Sequence, residues 1–227
     1  MIICHDYKYI FIKTAKTAGS SIEIALSKFC GPRDIITPLA PEDEEVRKTL
    51  GFRGKQNVLI PFDRLSKREL FQNLFAKHRK GFFKHADASY IKRYTDPDVW
   101  DSYFKFCFER NPWDKAISYY YWKHKEEPRP TISEFVQVGG MNSVKGFELY
   151  TINSEIVVDR VFLYESLDEA MKEIAKIVGL PEVPSLPRVK GGFRRDKRHY
   201  RDVLSEKDRE KISKVFAREI AHFGYTW

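Results

Sequence analysis

The segment YIFIKTAKTAGSSIEIAL, residues 9–26, constrains the fold of this chain more than any other stretch. The apolar run from Tyr9 to Ile12 predicts a buried strand, and the apolar residues after position 21 predict a helix. A loop of small and polar residues joins the two. Because the first N–H groups of a helix have no partner inside the helix and the helix dipole is positive there, such a junction is suited to hold a phosphate or sulfate.

The side chains of this loop add charge and hydrogen-bond donors to the junction: Lys13, Lys16, Thr17, Ser20 and Ser21. The loop is not a Walker A motif, which needs GxxxxGK[ST] with lysine directly after the second glycine. Here Lys16 precedes Gly19 instead of following it. A second interpretation is a lysine-flanked turn in which Ser20 or Ser21 is the N-cap of the helix.

The composition indicates a folded protein that binds an anionic ligand or surface. The 227 residues fit one domain, residues 1–227, and a hydrophobic content of 42% with 15% aromatic residues argues against disorder. The formal net charge of +8 favours an anionic ligand or surface. The three cysteines, Cys4, Cys30 and Cys107, have no CxxC spacing, which favours a reduced protein over a disulfide scaffold.

No targeting or membrane-spanning segment is evident in the sequence. The N-terminus lacks a basic region followed by a long apolar stretch, which disfavours a signal peptide. No apolar run reaches the roughly 18 residues that a membrane span requires. We therefore expect a cytoplasmic protein without a membrane span.

A second strand-to-helix junction lies in DSYFKFCFERNPWDKAISYYYW, residues 101–122. Tyr103 to Phe108 predicts a buried strand, and Pro112 suits the first turn of the following helix. Since open parallel sheets bind ligands at the carboxyl ends of their strands, we expect Arg110 and Lys16 to face the same crevice, with Ser118 two helical turns beyond Arg110. The alternative is that Arg110 is an ordinary charge at a strand end and Ser118 a surface residue.

Predicted strands and helices alternate along the chain, which indicates an α/β fold with a mainly parallel central sheet flanked by helices. Capping-box patterns begin two of the helices, at Thr131 and Ser205, and Gly179 is suited to end a third. Residues 156–164 predict a strand or a bent strand pair. The predicted helices span residues 41–50, 66–80, 131–138, 167–178 and 205–223.

KTAKTAGSS and FERNPWDKAISYYYW together resemble the two nucleotide-binding signatures of the sulfotransferases. The chain is most similar to the branch that includes carbohydrate sulfotransferases of the Golgi and many bacterial relatives. That branch has PKTAGT or PKTAGS in the first signature, and RNP with a serine eight residues after the arginine in the second. Both spacings hold here, and Ala15 replaces the usual proline. The resemblance covers most of the chain and is weakest over residues 31–80 and 125–155.

The resemblance implies a P-loop-NTPase-like sandwich that transfers a sulfuryl group from 3′-phosphoadenosine 5′-phosphosulfate (PAPS) to a hydroxyl or amine, leaving 3′-phosphoadenosine 5′-phosphate (PAP). By similarity, Lys16 contacts the 5′-phosphosulfate and stabilises the leaving oxygen, while Arg110 and Ser118 hold the 3′-phosphate. By the same similarity, the 5′-phosphate is cradled by the backbone around Thr17, Ala18 and Gly19 together with the hydroxyls of Ser20 and Ser21. Sulfuryl transfer resembles phosphoryl transfer, in which positioning and electrostatics carry the catalysis.

An acceptor hydroxyl must lose its proton, and His85 in GFFKHADAS matches the place of the catalytic histidine in related sulfotransferases. The alternative is a structural loop histidine. Glu109 is a rival base, although a carboxylate inside a strand more often pairs with a cation. The sequence shows no clustered metal-ligand set, and the reaction requires no metal.

The basic segment PRVKGGFRRDKRHYR, residues 187–201, has three interpretations. It is a solvated surface, a loop that closes over the nucleotide, or a contact for an acidic acceptor or nucleic acid. The glycines at 191 and 192 suit a hinge. In the second interpretation Arg194, Arg195 and Lys197 contact the nucleotide.

Three other hypotheses compete with sulfuryl transfer, and one of them is a non-catalytic family member that only binds nucleotide. A small-molecule kinase is disfavoured by the position of Lys16 and by the lack of an evident Mg²⁺-binding acid. A basic nucleic-acid-binding protein is disfavoured because no recognition motif is present. The acceptor is open between a carbohydrate, a lipid, a peptide and a small hydroxylated molecule, and residues 31–80 and 125–155 are expected to shape its site.

Overall fold

The structure is a computed structural model that describes residues 1–75, 79–187, 189, 194 and 196–227, with the backbone alone at 73–75. Its described strands are β1 Ile2–Cys4, β2 Tyr9–Phe11, β3 Ile35–Ile36, β4 Phe104–Glu109, β5 Thr151–Ile152, β6 Glu155–Ile156 and β7 Arg160–Leu163. Five of these form the central sheet in the order β3-β1-β2-β4-β7, and β5 and β6 form a separate two-stranded sheet.

The central sheet is mixed. β1 runs antiparallel to both β2 and β3, whereas β2, β4 and β7 are parallel to one another. Phe11 of β2 lies beside Phe106 of β4. The prediction of a mainly parallel sheet thus holds for the core strands, and it was wrong for the N-terminal edge, where a tight β1–β2 turn allows antiparallel pairing.

The described helices are α1 Gly19–Ser27, α2 Pro41–Thr49, α3 Lys67–Phe75, α4 Ala88–Tyr94, α5 Pro97–Ser102, α6 Pro112–Lys123, α7 Ile132–Gln137, α8 Leu167–Val178, α9 Tyr200–Val203, α10 Glu206–Val215 and α11 Ala217–Phe223. Short 3-10 turns occur at Phe62–Arg64, Phe147–Leu149 and Tyr164–Ser166.

Alternating side chains place helices on both faces of the sheet. Tyr9, Phe11 and Phe106 share one buried cluster with residues of α1 and α8. Ile10 and Cys107, their neighbours along the strands, point to the opposite cluster with α4 and α5. Both faces are covered, which explains why β2 is apolar throughout and β4 is apolar from Phe106 to Phe108.

Several local predictions are confirmed. Pro112 lies in the first turn of α6, and both capping boxes form, Thr131 with Glu134 and Ser205 with Asp208. Gly179 ends α8 with φ of 72°. Residues 156–164 do hold two strands, the end of β6 and the whole of β7.

Three predictions needed correction. The helix predicted over 205–223 is divided at Phe216 into α10 and α11. The helix predicted over 66–80 ends earlier, because α3 spans Lys67–Phe75 and residues 79 and 80 are not helical, while 76–78 lie outside the described residues. Ala18, and not Ser20 or Ser21, is the N-cap of α1, because the helix begins at Gly19, two or three residues earlier than a serine N-cap would place it.

Across the described residues, the structure contains no helix that is both long enough and apolar enough to cross a bilayer.

Candidate functional site

The loop between β2 and α1 has an unusual backbone. Lys16 and Ala18 both have positive φ, at 63° and 58°. Residues with side chains rarely adopt this conformation, and such strain clusters at binding sites. No side chain caps the N-terminus of α1, and no acidic residue lies in its first turn. The positive end of this nine-residue helix is therefore open to an anion.

Lys13 and Lys16 have different surroundings. The Lys13 side chain is buried, and its Nζ lies 2.9 Å from Glu23 Oε2 and 3.3 Å from Ser20 Oγ. Its stem crosses Gly19, where an added Cβ would come within 2.8 Å of Lys13 Cγ. Lys16 is half-buried, and its Nζ lies 5.5 Å above the Trp122 ring. Glu23, which also pairs with the Met1 amino group, holds the Lys13 ammonium in the interior, whereas the less buried Lys16 is the loop lysine better placed for a ligand.

The hydroxyl of Thr17 is used inside the protein. It lies 2.9 Å from the Thr14 hydroxyl, and the Thr14 hydroxyl also donates to the Phe108 carbonyl of β4. Thr17 is buried and does not line the cavity described below. The side chain of Thr17 therefore fixes the loop to the sheet, while Ser20 and Ser21 line the cavity.

The second junction contacts the first directly. Arg110 follows β4, and its Nη1 donates to the Lys16 carbonyl over 3.0 Å. Its guanidinium lies 4.1 Å from the Tyr164 ring centre, which follows β7. The carboxyl ends of three parallel strands thus meet at this point, as expected for an open sheet.

Asp114 links Arg110 to the basic segment. One carboxylate oxygen accepts Arg110 Nε over 2.8 Å and also pairs with Arg110 Nη2, while the other pairs with Arg194 Nη1. Burial favours the protonated acid, but the two guanidinium groups outweigh it and lower the pKa of Asp114. With Nη1 bonded to Lys16, two of the five N–H groups of Arg110 remain for a ligand.

A cavity of about 720 Å³ opens over the two junctions. This volume lies in the range of small-molecule sites. The described residues that line it include many cations and no aspartate or glutamate. The cations are Lys13, Lys16, Lys84, Arg110, Lys145, Arg194 and Lys197. The cavity therefore has the electrostatics of a site for a multiply charged anion.

His85 lies in the cavity wall and has a defined tautomer. Its Nδ1 is 2.8 Å from the Lys13 carbonyl oxygen, and a carbonyl accepts only, so Nδ1 carries the proton and Nε2 the lone pair. Burial, with smaller contributions from nearby positive charges, lowers the pKa of His85 to about 4. The ring is neutral at pH 7, and its basicity is lower than that of an exposed histidine.

Glu109, the rival base, is fully buried and lies outside the cavity lining. It forms an ion pair with Lys115 and accepts a hydrogen bond of 3.1 Å from the Tyr150 hydroxyl. The expectation that this carboxylate pairs with a cation is confirmed.

Most of the residues predicted from the sequence to form the site meet in the cavity wall. They are Lys16, Ala18, Gly19, Ser20, Ser21, His85, Arg110, Ser118, Arg194 and Lys197. The Thr17 side chain does not line the wall, although its neighbours Lys16 and Ala18 do, and Arg195 lies outside the described residues.

Sequence reasoning missed Asp114, although its position four residues after Arg110 on a helix is the usual spacing for an ion pair. It also missed Lys84 and Lys145, which face the cavity from irregular segments without periodicity. Of the aromatic run at 119–122, Tyr119 and Trp122 line the cavity, whereas Tyr120 and Tyr121 are buried.

Comparison with known proteins gives one informative match. No protein-family model matches the chain. An uncharacterized protein of Archaeoglobus fulgidus is 34% identical over 97 residues, which cover 40% of this chain and 81% of that protein. Identity at this level over most of the archaeal protein indicates common descent. The chain belongs to the same protein family as this archaeal protein.

Proposed function

We propose that this protein is a sulfotransferase that moves a sulfuryl group from PAPS to a hydroxyl or amine of an acceptor. The observation that carries the proposal is the contact between the two junctions, in which Arg110 donates to the Lys16 carbonyl beneath a cavity whose described lining has no carboxylate. PAPS carries anionic groups at both its 3′ and 5′ positions. Two adjacent cationic junctions suit a ligand of that kind.

The residues present fit such a donor. The N-terminus of α1, with Ser20, Ser21 and Lys16, would hold the 5′-phosphosulfate, and Arg110 with Ser118 would hold the 3′-phosphate. An arginine fork suits a phosphate because it offers paired donors. The lysine that would neutralise the leaving oxygen is Lys16, and one such donor in a water-excluded site is worth about 3 kcal/mol.

In the proposed reaction the bond from sulfur to the 5′-phosphate oxygen breaks, and a bond from sulfur to the acceptor oxygen or nitrogen forms, with PAP as product. His85 Nε2 would receive the acceptor proton, because Nδ1 is occupied by the Lys13 carbonyl. Leu39 and Lys145 line the cavity from the two regions expected to shape the acceptor site. A carbohydrate is one acceptor class among those left open, and a cytoplasmic location stays a prediction.

The donor site is tested by calorimetry with PAP in Mg²⁺-free buffer. We expect saturable binding to the wild type, loss of at least about tenfold in affinity in Lys16→Ala and Arg110→Lys, and no change in Lys172→Ala, an exposed lysine on α8. The lysine at position 110 keeps the charge and removes the fork.

Failure to bind PAP, or binding of ATP only with Mg²⁺, would reject the sulfotransferase proposal, and the second result would favour a kinase. Tight salt-dependent binding of DNA or RNA without PAP binding would favour the nucleic-acid class. An acceptor screen with labelled donor then identifies the substrate.

A further inference from the structure

Two cysteines that lie far apart in the sequence meet at the end of the sheet opposite the cavity. Cys4 ends β1, and Cys30 follows α1. Together with Asp34 they form what we call the thiol cluster. Their ligand atoms all lie within 4.8 Å of one another, and all three side chains are buried. Cys4 pairs with Tyr9, the first residue of β2, whereas the cavity lies beyond the last residue of β2.

The spacing of the thiol cluster suits a tetrahedral metal ion. Zinc–sulfur bonds of about 2.3 Å and zinc–oxygen bonds of about 2.0 Å put tetrahedral ligand atoms about 3.5 to 3.8 Å apart. Cys4 Sγ already lies 3.1 Å from Asp34 Oδ2. Movements of less than about 1 Å would bring the remaining atoms to these distances.

The Asp34 carboxylate is held in place by the backbone. Oδ1 accepts the His5 N–H and Oδ2 accepts the Gly31 N–H, both over 2.7 Å. Hydrogen bonds of this kind orient the carboxylates of metal sites. They also keep Asp34 in position independently of the two thiols.

A fourth group faces the thiol cluster. The Tyr9 side chain lies on the same face of the β1–β2 hairpin as Cys4, because the two residues are directly paired. Its hydroxyl is fully buried and makes no hydrogen bond to any described residue. Tyr9, Cys4 and Cys30 belong to the same buried cluster on this face of the sheet. A buried hydroxyl without a partner costs free energy that a ligand would recover.

We propose that the thiol cluster binds one zinc ion through Cys4, Cys30 and Asp34, with the Tyr9 hydroxyl oxygen at the fourth position. Thiolate sulfur and carboxylate oxygen are both zinc ligands, and structural zinc is four-coordinate and tetrahedral, so three protein ligands leave one position for the Tyr9 oxygen. This proposal does not depend on the sulfotransferase activity.

The charge balance of the proposed site is favourable. Zinc displaces one proton from each thiol, and Tyr9 retains its own proton and offers a lone pair. Two thiolates and one carboxylate then leave one formal negative charge around the ion. The His5 and Gly31 N–H groups on Asp34 offset it. Because the thiols must ionise, affinity rises with pH.

The test uses the full-length protein, one equivalent of zinc sulfate, and cobalt(II) as a spectroscopic substitute. We expect one zinc per chain by native mass spectrometry and a melting temperature at least about 5 °C higher with zinc than after chelation. Cobalt should give a thiolate charge-transfer band whose intensity corresponds to two sulfurs.

Cys4→Ala and Cys30→Ala should each lose the melting shift and weaken the cobalt band, while Cys107→Ala, a buried cysteine in the opposite core cluster, should keep both. If the first two variants do not fold, the wild-type mass decides the question. Zinc adds one ion and removes two protons, whereas a Cys4–Cys30 disulfide removes two hydrogens and adds no ion. No metal uptake, or the disulfide mass, overturns the proposal.

Discussion

Within the loop after β2, some residues stabilise the loop and others line the cavity. Lys13 is tied to the buried Glu23 and lies across Gly19, so its charge supports the loop. Lys16 lies above Trp122 in the cavity wall. Gly19 is required here for close approach and not for a special φ, because only a residue without a Cβ leaves room for the Lys13 stem.

Gly19→Ala should therefore disturb the loop. Its Cβ would meet Lys13 Cγ at 2.8 Å, and Lys13 cannot move aside without losing Glu23. We expect a loss of about 1–3 kcal/mol in the free energy of unfolding, measured by urea denaturation, with weaker PAP binding. Gly54→Ala is the control, since an added Cβ there meets no atom within 4 Å. Equal stabilities of the two variants would contradict this view of the loop.

His85 gives a prediction about pH. Because burial lowers the pKa of His85 to about 4, the ring should titrate near that value in the protein without ligand. Bound PAP brings negative charge beside the ring, which favours the imidazolium, and should raise this pKa. Proton–nitrogen NMR of the imidazole measures both values. In activity assays, kcat/KM should persist down to about pH 5 and fall as His85 of the free enzyme becomes protonated, and kcat should begin to fall at a higher pH. His85→Ala should lose turnover and retain PAP binding.

At the scale of elements, the first turn of α6 organises the second junction. The Asn111 side chain caps the helix by accepting the Trp113 and Asp114 N–H groups, and Pro112 needs no N–H partner there. Asp114 then faces Arg110, four residues earlier, and also reaches Arg194. One helical turn thus fixes the direction of the Arg110 guanidinium.

Asp114→Asn tests whether this orientation matters. The substitution adds positive charge to the site, which by itself would strengthen anion binding. We expect the opposite, a loss of about tenfold in PAP affinity, because Arg110 loses the charged partner of its Nε and Nη2 groups. Asp101→Asn, at an exposed position of α5, serves as control in the same calorimetric titration. Tighter binding in Asp114→Asn would show that the carboxylate acts only as a counter-charge.

At the scale of the whole molecule, net charge and site charge have the same sign. The chain carries +8 formally, and the described cavity lining contains cations without carboxylates. The field of the protein should therefore attract anions toward the cavity over about a Debye length, roughly 10 Å at 0.1 M salt. Sulfate should compete for the same site.

Salt should accordingly weaken PAP binding. Between 0.05 and 0.5 M NaCl we expect an affinity loss of at least about tenfold, with slower association in stopped-flow measurements. Adenosine, which lacks both charged groups, should bind with little dependence on salt. PAP binding that does not change with salt would mean that contacts other than charge hold the ligand.

The sequence predicted the features of the structure that depend on residues close together in the chain. The two junctions, the capping boxes and the end of α8 at Gly179 follow from local patterns of a few residues. It did not reveal that β1 lies antiparallel between β3 and β2, because that pairing depends on the turn into β2 and on a distant partner strand. The sequence also did not predict that Cys4 and Cys30 lie close together. Nor did it predict that Lys84 and Lys145 line the cavity, because tertiary packing alone positions their irregular segments. The division at Phe216 overrides a continuous helical pattern.

The register of β2 beside β4 has a consequence for the order of folding. The β1–β2 hairpin joins close neighbours, but Phe11 reaches Phe106 only after residues 12–105 have been looped out. Long-range pairing of this kind is slow to form. The cavity lies where β2 and β4 meet. We therefore expect it to form late in folding, when these two strands pair. A ligand that contacts both Lys16 and Arg110 would stabilise the pairing of β2 with β4. We expect it to slow unfolding more than it speeds folding.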